Sequence, residues 1–303
     1  MIPESVITIG DWAFAKTQLS TIVIPDSVAD IGRWTFQNSK LTSVTISKNL
    51  TTIGDQAFYG NQLVHVDIPD GVTDIGYQAF FGNRLTTVNI PDSVTKIGTQ
   101  AFTNNRITNL KIPNSVISIG GDEAFGYNQL INVELPNSIT RIGNYVFDSN
   151  KLTTVNIPNS VTSIGKGAFQ VNNLTNIDLP NSLLTLEQGA FYDNRLKSIV
   201  IPSNVTSIGG DWVFGQNRLT SVDLPNSLLS IGKMAFYDNQ LSNVTFPHRV
   251  TSIGGDKAFE LNRLQWVQFN SPLMLGTNTF INQGSTFEVG TKIYHGQHNG
   301  MEM

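Results

Sequence analysis

Histidine is the side chain best suited to proton transfer near neutral pH, and the sequence has four of them. His65 and His248 lie in unrelated sequence contexts, without a nucleophile and an orienting group to complete a catalytic set. His295 and His298 form the sequence HGQH, a spacing that could bind a metal ion on a helix. No third ligand accompanies them, and Gly296 weakens a helix at that point. We therefore predict neither a catalytic site nor a metal site.

Phosphate-binding and nucleotide-binding motifs are also missing from the sequence. There is no G-x-x-x-x-G-K-[ST] loop and no glycine-rich dinucleotide fingerprint between a strand and a helix. The recurring I-G-G-D belongs to the repeat described below, and its aspartates do not have the spacing of a calcium loop. The sequence contains no cysteine, which rules out disulfides, thiolate metal sites and cysteine nucleophiles. We expect a protein that is not an enzyme and has no cofactor.

The composition limits the classes of partner. Apolar residues make up 40 % of the sequence and charged residues 14 %, which is enough hydrophobic material for a folded core. The net charge of −4 and the isoelectric point of about 5.5 argue against nucleic acid, whose binding domains are usually basic. No stretch approaches the roughly 18 consecutive apolar residues of a membrane-spanning helix. The N-terminus has no basic segment followed by a hydrophobic one, so we expect any secretion signal to lie outside this sequence.

The elements that must position any functional side chain are tandem repeats with a period of 22 residues. Two examples are LTSVTISKNLTTIGDQAFYGNQ at 41–62 and LTTVNIPDSVTKIGTQAFTNNR at 85–106, and columns are numbered here from the first Leu of each repeat. Column 1 is filled by Leu19, Leu41, Leu63, Leu85, Ile107, Leu130, Leu152, Leu174, Leu196, Leu219, Leu241 and Leu264. An incomplete turn at 2–18 precedes them, and three repeats contain one additional Gly, Gly210 among them.

The first columns of each repeat predict a short strand. Columns 1, 4 and 6 are apolar and the columns between them polar, as in Leu152, Val155 and Ile157, which is the alternation of a half-buried strand. Pro follows in column 7 of most repeats, where its missing N–H ends the ladder of hydrogen bonds. Column 14 is almost always Gly, and we expect this Gly to allow a corner with positive φ.

Three other columns predict contacts from one coil to the next. Column 18 is Phe in nearly every repeat, and the stacked rings would form a spine through the core. Trp12, Trp34 and Trp212 share column 16, and we expect them to pack over this spine. Column 21 is Asn from Asn61 onward, and its amide can bond backbone groups of the neighbouring coil, which predicts an Asn ladder.

The pattern N-x-L-x-x-V-x-I-P-x-S-V-x-x-I-G-x-x-A-F resembles the BspA-like subfamily of bacterial leucine-rich repeats, over about residues 2–270. The resemblance implies a leucine-rich-repeat solenoid of the β-rich, α/β-type horseshoe class. It implies a right-handed coil, with a parallel sheet on one face and short helical or irregular segments on the other. We assign residues 1–270 to this solenoid and residues 271–303, which depart from the pattern, to a C-terminal cap and tail.

Columns 2, 3 and 5 should face outward from the sheet, so they are the candidates for partner recognition. Most are small polar residues such as Thr, Ser and Asn, which suit exposed strands in any case. Larger or charged side chains interrupt them, and we take as the candidate ligand-binding face His65, Asp67, Lys111, Glu134, Asp178, Lys197, Asp223 and Trp266. Trp266 has two interpretations: an exposed binding residue, or a cover over the end of the core.

Column 22, beside the start of each strand, is basic in most repeats. We call this row the basic rail and take as its members Arg84, Arg106, Lys151, Arg195, Arg218 and Arg263. The rail could hold an anionic glycan or an acidic protein. It could equally serve solubility or protection of the edge, with Asp178 and Asp223 as lateral partners.

The resemblance and the polar face together favour a non-catalytic binding or adhesion module that recognises an extracellular protein or glycan. The resemblance implies an extracellular or cell-surface location, and we expect a monomer. Two alternatives remain open. The repeats could be a purely structural spacer, or the regular Thr residues could form an ice-binding surface, which Lys111, Glu134, Lys197 and Trp266 would interrupt.

Overall fold

The protein is built from short stacked coils. The computed structural model describes residues 1–119, 122–254, 256–271, 274–276, 278–283 and 288–290. The chain divides into two compact units, Met1–Leu152 (unit 1) and Thr153–Met303 (unit 2). Within each unit, successive repeats lie side by side, so that residues in one column contact the same column of the next coil.

Columns 3 to 5 form the first parallel ladder in most coils, as the alternation of apolar residues predicts, but the coils that begin at Leu152 and Leu174 have no strand there. Ser43–Thr45 pairs in parallel with Thr21–Val23, its equivalent one period earlier. The strands of this ladder are Thr21–Val23, Ser43–Thr45, Asn109–Lys111 and Asn132–Glu134 in unit 1, and Ser198–Val200, Ser221–Asp223, Asn243–Phe246, Trp266–Phe269 and Glu288–Gly290 in unit 2. Between the coils that begin at Leu63 and Leu85, the ladder narrows to a single bridge from Asp67 to Asn89.

Proline ends these strands, as predicted. The N–H of Ile24, just before Pro25, donates the last ladder bond to the carbonyl of Thr45 at 2.9 Å. The carbonyl of Pro25 then accepts from the N–H of Val28 at 3.0 Å, which closes a tight turn. Ser47 stands where other coils have Pro, and its hydroxyl donates to the buried carbonyl of Val28 at 2.6 Å. The Ser side chain thus adds a bond between coils at this corner.

A second parallel ladder, in columns 12 and 13, is a feature that the sequence analysis did not predict. Its strands have two residues each, with the first side chain turned outward and the second buried in most coils. They are Thr8–Ile9, Asp30–Ile31, Thr52–Ile53, Asp74–Ile75, Lys96–Ile97, Ser118–Ile119 and Arg141–Ile142 in unit 1, and Ser163–Ile164, Thr185–Leu186, Ser207–Ile208, Ser230–Ile231, Ser252–Ile253 and Met274–Leu275 in unit 2. The aliphatic residue of column 13 marks this ladder in the sequence.

The prediction of a positive φ at the column 14 glycines is wrong. Left-handed backbone occurs instead in columns 16 and 20, for example at Gln56 (φ 54°) and Gly60 (φ 66°). The column 14 Gly is needed for space. A Cβ built at Gly98 would lie 2.7 Å from the carbonyl carbon of Gly76 in the preceding coil. The missing side chain lets the two backbones approach closely.

No α-helix occurs in the described part of the chain, so the helical segments implied by the resemblance are not borne out. Columns 15 to 20 are irregular, but their backbone is satisfied from coil to coil. The N–H groups of Trp34, Phe36 and Asn38 donate to carbonyls of the following coil at 3.0, 2.8 and 2.8 Å. These bonds between coils replace the bonds that a helix would form within itself.

The Asn ladder of column 21 is confirmed. The Oδ1 atom of Asn61 accepts from the backbone N–H of Leu41, in its own coil, at 2.9 Å. At this position it also accepts from the N–H of Ser39, in the preceding coil, at 3.1 Å. Its Nδ2 group donates to the carbonyls of Phe36 and Phe58, at 2.7 and 3.0 Å. The same bonds recur at the other column 21 positions, and all these Asn side chains are buried.

The predicted Phe spine is also confirmed within each unit. In unit 1, rings from Phe14 to Phe147 stack with centroids 5.3 to 6.1 Å apart. In unit 2 the stack runs from Phe169 to Phe259, at 5.1 to 5.7 Å. Burial of these rings and of the aliphatic columns supplies the main hydrophobic stabilisation of each coil.

The predicted cap begins with residues that continue the pairing of coils. Met274–Leu275 pairs with Ser252–Ile253, and Glu288–Gly290 pairs with the strand that begins at Trp266. Gln283 takes the place of the column 21 Asn, and its side chain bonds the N–H of Leu264 at 3.2 Å. The tail with His295 and His298 lies outside the described residues.

Replacing Phe102 with Ala should destabilise unit 1 by about 3 to 5 kcal/mol, because it leaves a cavity in the spine. The ring of Phe102 is fully buried and lies 5.3 and 5.4 Å from those of Phe80 and Phe125. Urea unfolding followed by circular dichroism would measure the loss. Tyr77→Ala, which removes an aromatic ring that is 44 % exposed, is the control and should change the midpoint little. Equal midpoints for the two variants would contradict the spine.

Replacing Gly98 with Ala should cost about 1 to 3 kcal/mol, because the new methyl group would collide with backbone of the preceding coil. Gly10 occupies the same column, but no atom lies within 4 Å of its built Cβ. Gly10→Ala should therefore be nearly neutral. Thermal melting of both variants tests the explanation, and an equal loss in both would point to backbone conformation instead of close approach.

Candidate binding surface

The outward side chains of the first ladder form a regular exposed face, which is where the sequence places recognition. In the strand Asn132–Glu134, the side chains of Asn132 and Glu134 are exposed while Val133 is buried. This alternation follows from the pleat of the strand. Residues in the same column lie in rows, spaced by the distance of roughly 4.8 Å between neighbouring strands.

Two of the candidate residues in unit 1 contact each other. The Nε2 atom of His65 lies 2.8 Å from Oδ1 of Asp67, and its Nδ1 atom lies 3.3 Å from the hydroxyl of Thr87 in the next coil. The His65 and Asp67 side chains are 56 % and 88 % exposed, so both remain accessible to a partner. The pair forms a polar protrusion on an otherwise small-residue face.

Lys111 and Glu134 also lie side by side, on neighbouring strands. They are in register in the ladder, with Asn109–Lys111 paired to Asn132–Glu134, and both side chains are exposed. Charges of opposite sign therefore occupy adjacent places in column 5.

In unit 2 the exposed candidates Asp178, Lys197 and Asp223 accompany a residue that the sequence analysis missed. Val200 is in register with Asp223, and its side chain is 65 % exposed. Two shallow depressions on this surface are both lined by Val200, Asp223 and Asn226. A Val in a column that is otherwise mostly polar was the available signal. Each depression therefore combines the apolar side chain of Val200 with the carboxylate of Asp223 and the amide of Asn226.

Trp266 lies in column 3 on the outward side of the last full strand, and its side chain is 40 % exposed. The neighbouring core is filled by four other aromatic residues. Phe246 and Phe269 stack at 5.1 Å, and Phe280 packs against Phe259 at 5.7 Å. Trp266 therefore lies at the surface beside this core, and its part in binding stays a prediction.

The six residues of the basic rail are all exposed. Their backbone is fixed by the stack: the N–H of Arg84 donates to Leu63 at 2.9 Å in unit 1, and the N–H of Arg218 donates to Leu196 at 3.0 Å in unit 2. Within the described residues, none of the six takes part in an ion pair. The lateral pairing with Asp178 and Asp223 that the sequence allowed is not formed. The ammonium group of Lys151 donates a hydrogen bond to Oε1 of Gln129 at 3.3 Å.

The column 16 tryptophans contact other aromatic side chains of adjacent coils. Trp12 and Trp34 stack on each other with centroids 4.6 Å apart, and Trp34 donates from Nε1 to the side-chain oxygen of Gln56. Trp212 contacts two tyrosines of the adjacent coils.

The described residues offer neither a metal site nor a membrane-spanning helix. Among the described residues, no three His, Cys, Asp or Glu side chains are grouped as metal ligands would be. The same residues contain no helix of the length and apolar character that crossing a membrane requires.

Several solved structures share this fold. A leucine-rich repeat protein from Bacteroides ovatus ATCC 8483 is 23 % identical over 91 % of this chain and 81 % of its own, with a TM-score of 0.59. The pneumococcal vaccine antigen PcpA is 22 % identical over 83 % of this chain and 68 % of its own, with a TM-score of 0.53. YopM from Yersinia enterocolitica WA-314 is 18 % identical over 96 % and 65 %, also with a TM-score of 0.53. At these identities the likeness concerns the fold alone.

No curated protein sequence matches the chain. The family model described as "BspA type Leucine rich repeat region (6 copies)" matches residues 1–108, 95–217 and 186–291, which together cover nearly the whole sequence. The match agrees with the repeat pattern, the paired coils and the buried Asn ladder. The chain therefore belongs to the BspA-type leucine-rich repeat family.

Proposed function

We propose that this protein is a non-catalytic binding module that recognises an extracellular protein or glycan through the outward face of its first ladder. The observation that carries the proposal is the basic rail. In each unit, three exposed cations lie along the edge of this face without partners in ion pairs among the described residues. Unpaired charge at the rim of a surface attracts a partner of opposite sign and raises its rate of association.

The partner that suits this surface is acidic and extended. The first ladder presents rows of small hydroxyl and amide side chains, and its depressions in unit 2 are shallow. Such a surface suits many weak contacts spread over several coils. It does not suit a small molecule, which needs an enclosed pocket. An anionic glycan or an acidic protein segment meets these requirements. Membership of the BspA-type family supports an extracellular or cell-surface location for such a module.

The two alternatives predict different behaviour. A structural spacer would bind no partner saturably. An ice-binding surface needs a flat, regular array of hydroxyl groups, whereas the exposed side chains of Lys111, Glu134, Lys197 and Trp266 interrupt this face. Thermal hysteresis of the purified protein measures ice binding directly, and we expect none.

Reversing two charges of the rail, in Arg195→Glu/Arg218→Glu, should weaken binding to an anionic partner about tenfold at about 0.1 M salt. The partner is first identified on an array of extracellular-matrix proteins and glycans. At about 1 M salt the Debye length falls from about 10 Å to about 3 Å, so the difference between variant and wild type should shrink.

The matched control is Lys48→Glu/Lys96→Glu, which makes the same change in charge at exposed positions outside the rail. It should bind nearly as the wild type does. Equal losses in the two double variants would show that only net charge matters, and no saturable binding on the array would favour the spacer.

Trp266→Ala should weaken the same interaction by about 2 kcal/mol, or roughly thirtyfold, if the exposed indole is a central contact. The melting temperature should change little, because the aromatic core beside it is formed by phenylalanines. Trp12→Ala is the control, since Trp12 is 49 % exposed but lies off this face, in column 16. A lower melting temperature with unchanged binding would instead assign Trp266 to the core.

A further inference from the structure

Three aromatic rings from successive coils meet on the irregular side of unit 2, in columns 16 and 19. The ring centroid of Trp212 lies 5.4 Å from that of Tyr192 and 5.1 Å from that of Tyr237. The planes of the two tyrosines make angles of 81° and 68° with the indole. Both tyrosines therefore stand nearly upright against it, one in the coil before and one in the coil after. We call this cluster the aromatic trough.

A glycine creates the trough. Tyr192 and Tyr237 occupy column 19, and the coil between them has Gly215 in that column. A Cβ built at Gly215 would lie 3.1 Å from Cε3 of Trp212, so the indole lies against this glycine in the space that a column 19 side chain would fill. The two tyrosines are two coils apart, roughly 10 Å, so the indole lies between them, and all three side chains are partly exposed.

Unit 1 provides a comparison in which the trough is absent. There, the column 19 rings of Tyr59 and Phe81 belong to adjacent coils and stack face to face, 5.0 Å apart with an angle of 4°. Column 16 of the same coils carries Gln56 and Gln78, whose amides are joined by a hydrogen bond of 2.5 Å. Ordinary stacking of the repeat thus covers the faces of these two column 19 rings, whereas Tyr192 and Tyr237 each meet an indole at a steep angle.

The trough is held in place and has a negative surrounding. The hydroxyl of Tyr192 donates to Oε1 of Gln216 at 2.5 Å, which fixes that ring. Asp193 and Asp238 follow the two tyrosines directly in the sequence, and both are exposed. Burial raises the pKa of the Tyr192 hydroxyl. Electrostatic interaction with Asp193, Tyr237 and Asp238 raises this pKa further.

One nearby cation of the protein itself is occupied, whereas another, Lys233, has an exposed side chain and accepts the N–H of Trp212 at its backbone carbonyl. Lys257, in the coil after Tyr237, forms an ion pair of 2.9 Å with Glu260. That contact raises the pKa of Lys257, chiefly through the hydrogen bond to Glu260. Two carboxylates therefore remain beside half-buried aromatic rings, a combination that attracts a positively charged group.

We propose that the aromatic trough binds the cationic side chain of an arginine or lysine from a basic partner protein. The cation would pack against the exposed part of the Trp212 indole, which Tyr192 and Tyr237 flank, and Asp193 and Asp238 would supply opposite charge. A guanidinium fits best, because it is planar and stacks on aromatic faces. This site lies in columns 16 and 19, away from the first ladder in columns 3 to 5. Its test is therefore independent of the function proposed for the face of that ladder.

A short arginine peptide tests the proposal. The probe is acetyl-(Gly-Arg)₃-amide, and its neutral counterpart replaces each Arg with citrulline, which keeps the shape and removes the charge. Binding is followed by the NMR shift of the Trp212 indole N–H, which the Trp212→Phe variant assigns. We expect a saturable shift with the arginine peptide, weakened by salt, and none with the citrulline peptide. Equal shifts with both peptides, or no shift with either, would overturn the proposal.

Variants separate the trough from general electrostatics. Asp193→Asn/Asp238→Asn should weaken binding of the arginine peptide about fivefold, as should Tyr237→Leu. Both aspartates are exposed, so their replacement should leave the melting temperature unchanged even if Tyr237→Leu destabilises the protein. The matched control is Asp70→Asn/Asp92→Asn, which removes the same charge from exposed positions in unit 1. An equal loss in the two double Asp variants would show binding to overall charge and contradict the site.

Discussion

The buried amide of column 21 is the interaction on which the rest of each unit depends. Its oxygen accepts from the backbone N–H that begins its own coil, and its nitrogen donates to carbonyls of its own coil and of the preceding coil. An unsatisfied buried amide would cost about 1 to 3 kcal/mol, so a coil that lost its neighbour would be destabilised at this point. The amide thereby fixes both the spacing and the register of the coils. Gln283, which is one methylene longer, still reaches Leu264 and Phe259 in the same way.

This fixed register turns columns of the sequence into rows on the surface. The Phe rings stack because their coils are in register, and the cations of column 22 lie along one edge for the same reason. Chemistry on such a surface arises where a row is interrupted. Val200 among polar residues opens a small apolar area on the first ladder. Gly215 among aromatic residues leaves the space that Trp212 occupies, which exposes the trough on the opposite side of the coil path.

Much of the fold could be predicted because its signals are local and repeated. Pro25 predicts the end of a strand and Asn61 predicts a buried ladder, and both are confirmed. The strand predicted around Val155 is not formed, although Val155 is buried as the alternation requires. The second ladder was missed because its strands have only two residues, too few to show an alternation. The role of Gly98 was wrongly predicted because a glycine that recurs in one column signals either a left-handed φ or a close approach of two backbones. The sequence does not distinguish these two causes.

The sequence by itself determined the coil: its length, its buried and outward columns, and the rows of charge and amide that follow from a regular period. Only the tertiary structure decided what adjacent coils do to one another. It set Trp266 at the surface, left the rail without ion pairs among the described residues, and turned Trp212 perpendicular to Tyr192 and Tyr237. The physical reason is distance. Contacts between adjacent coils join side chains that are about one period apart in the chain. The geometry of such contacts depends on how closely the two backbones can approach.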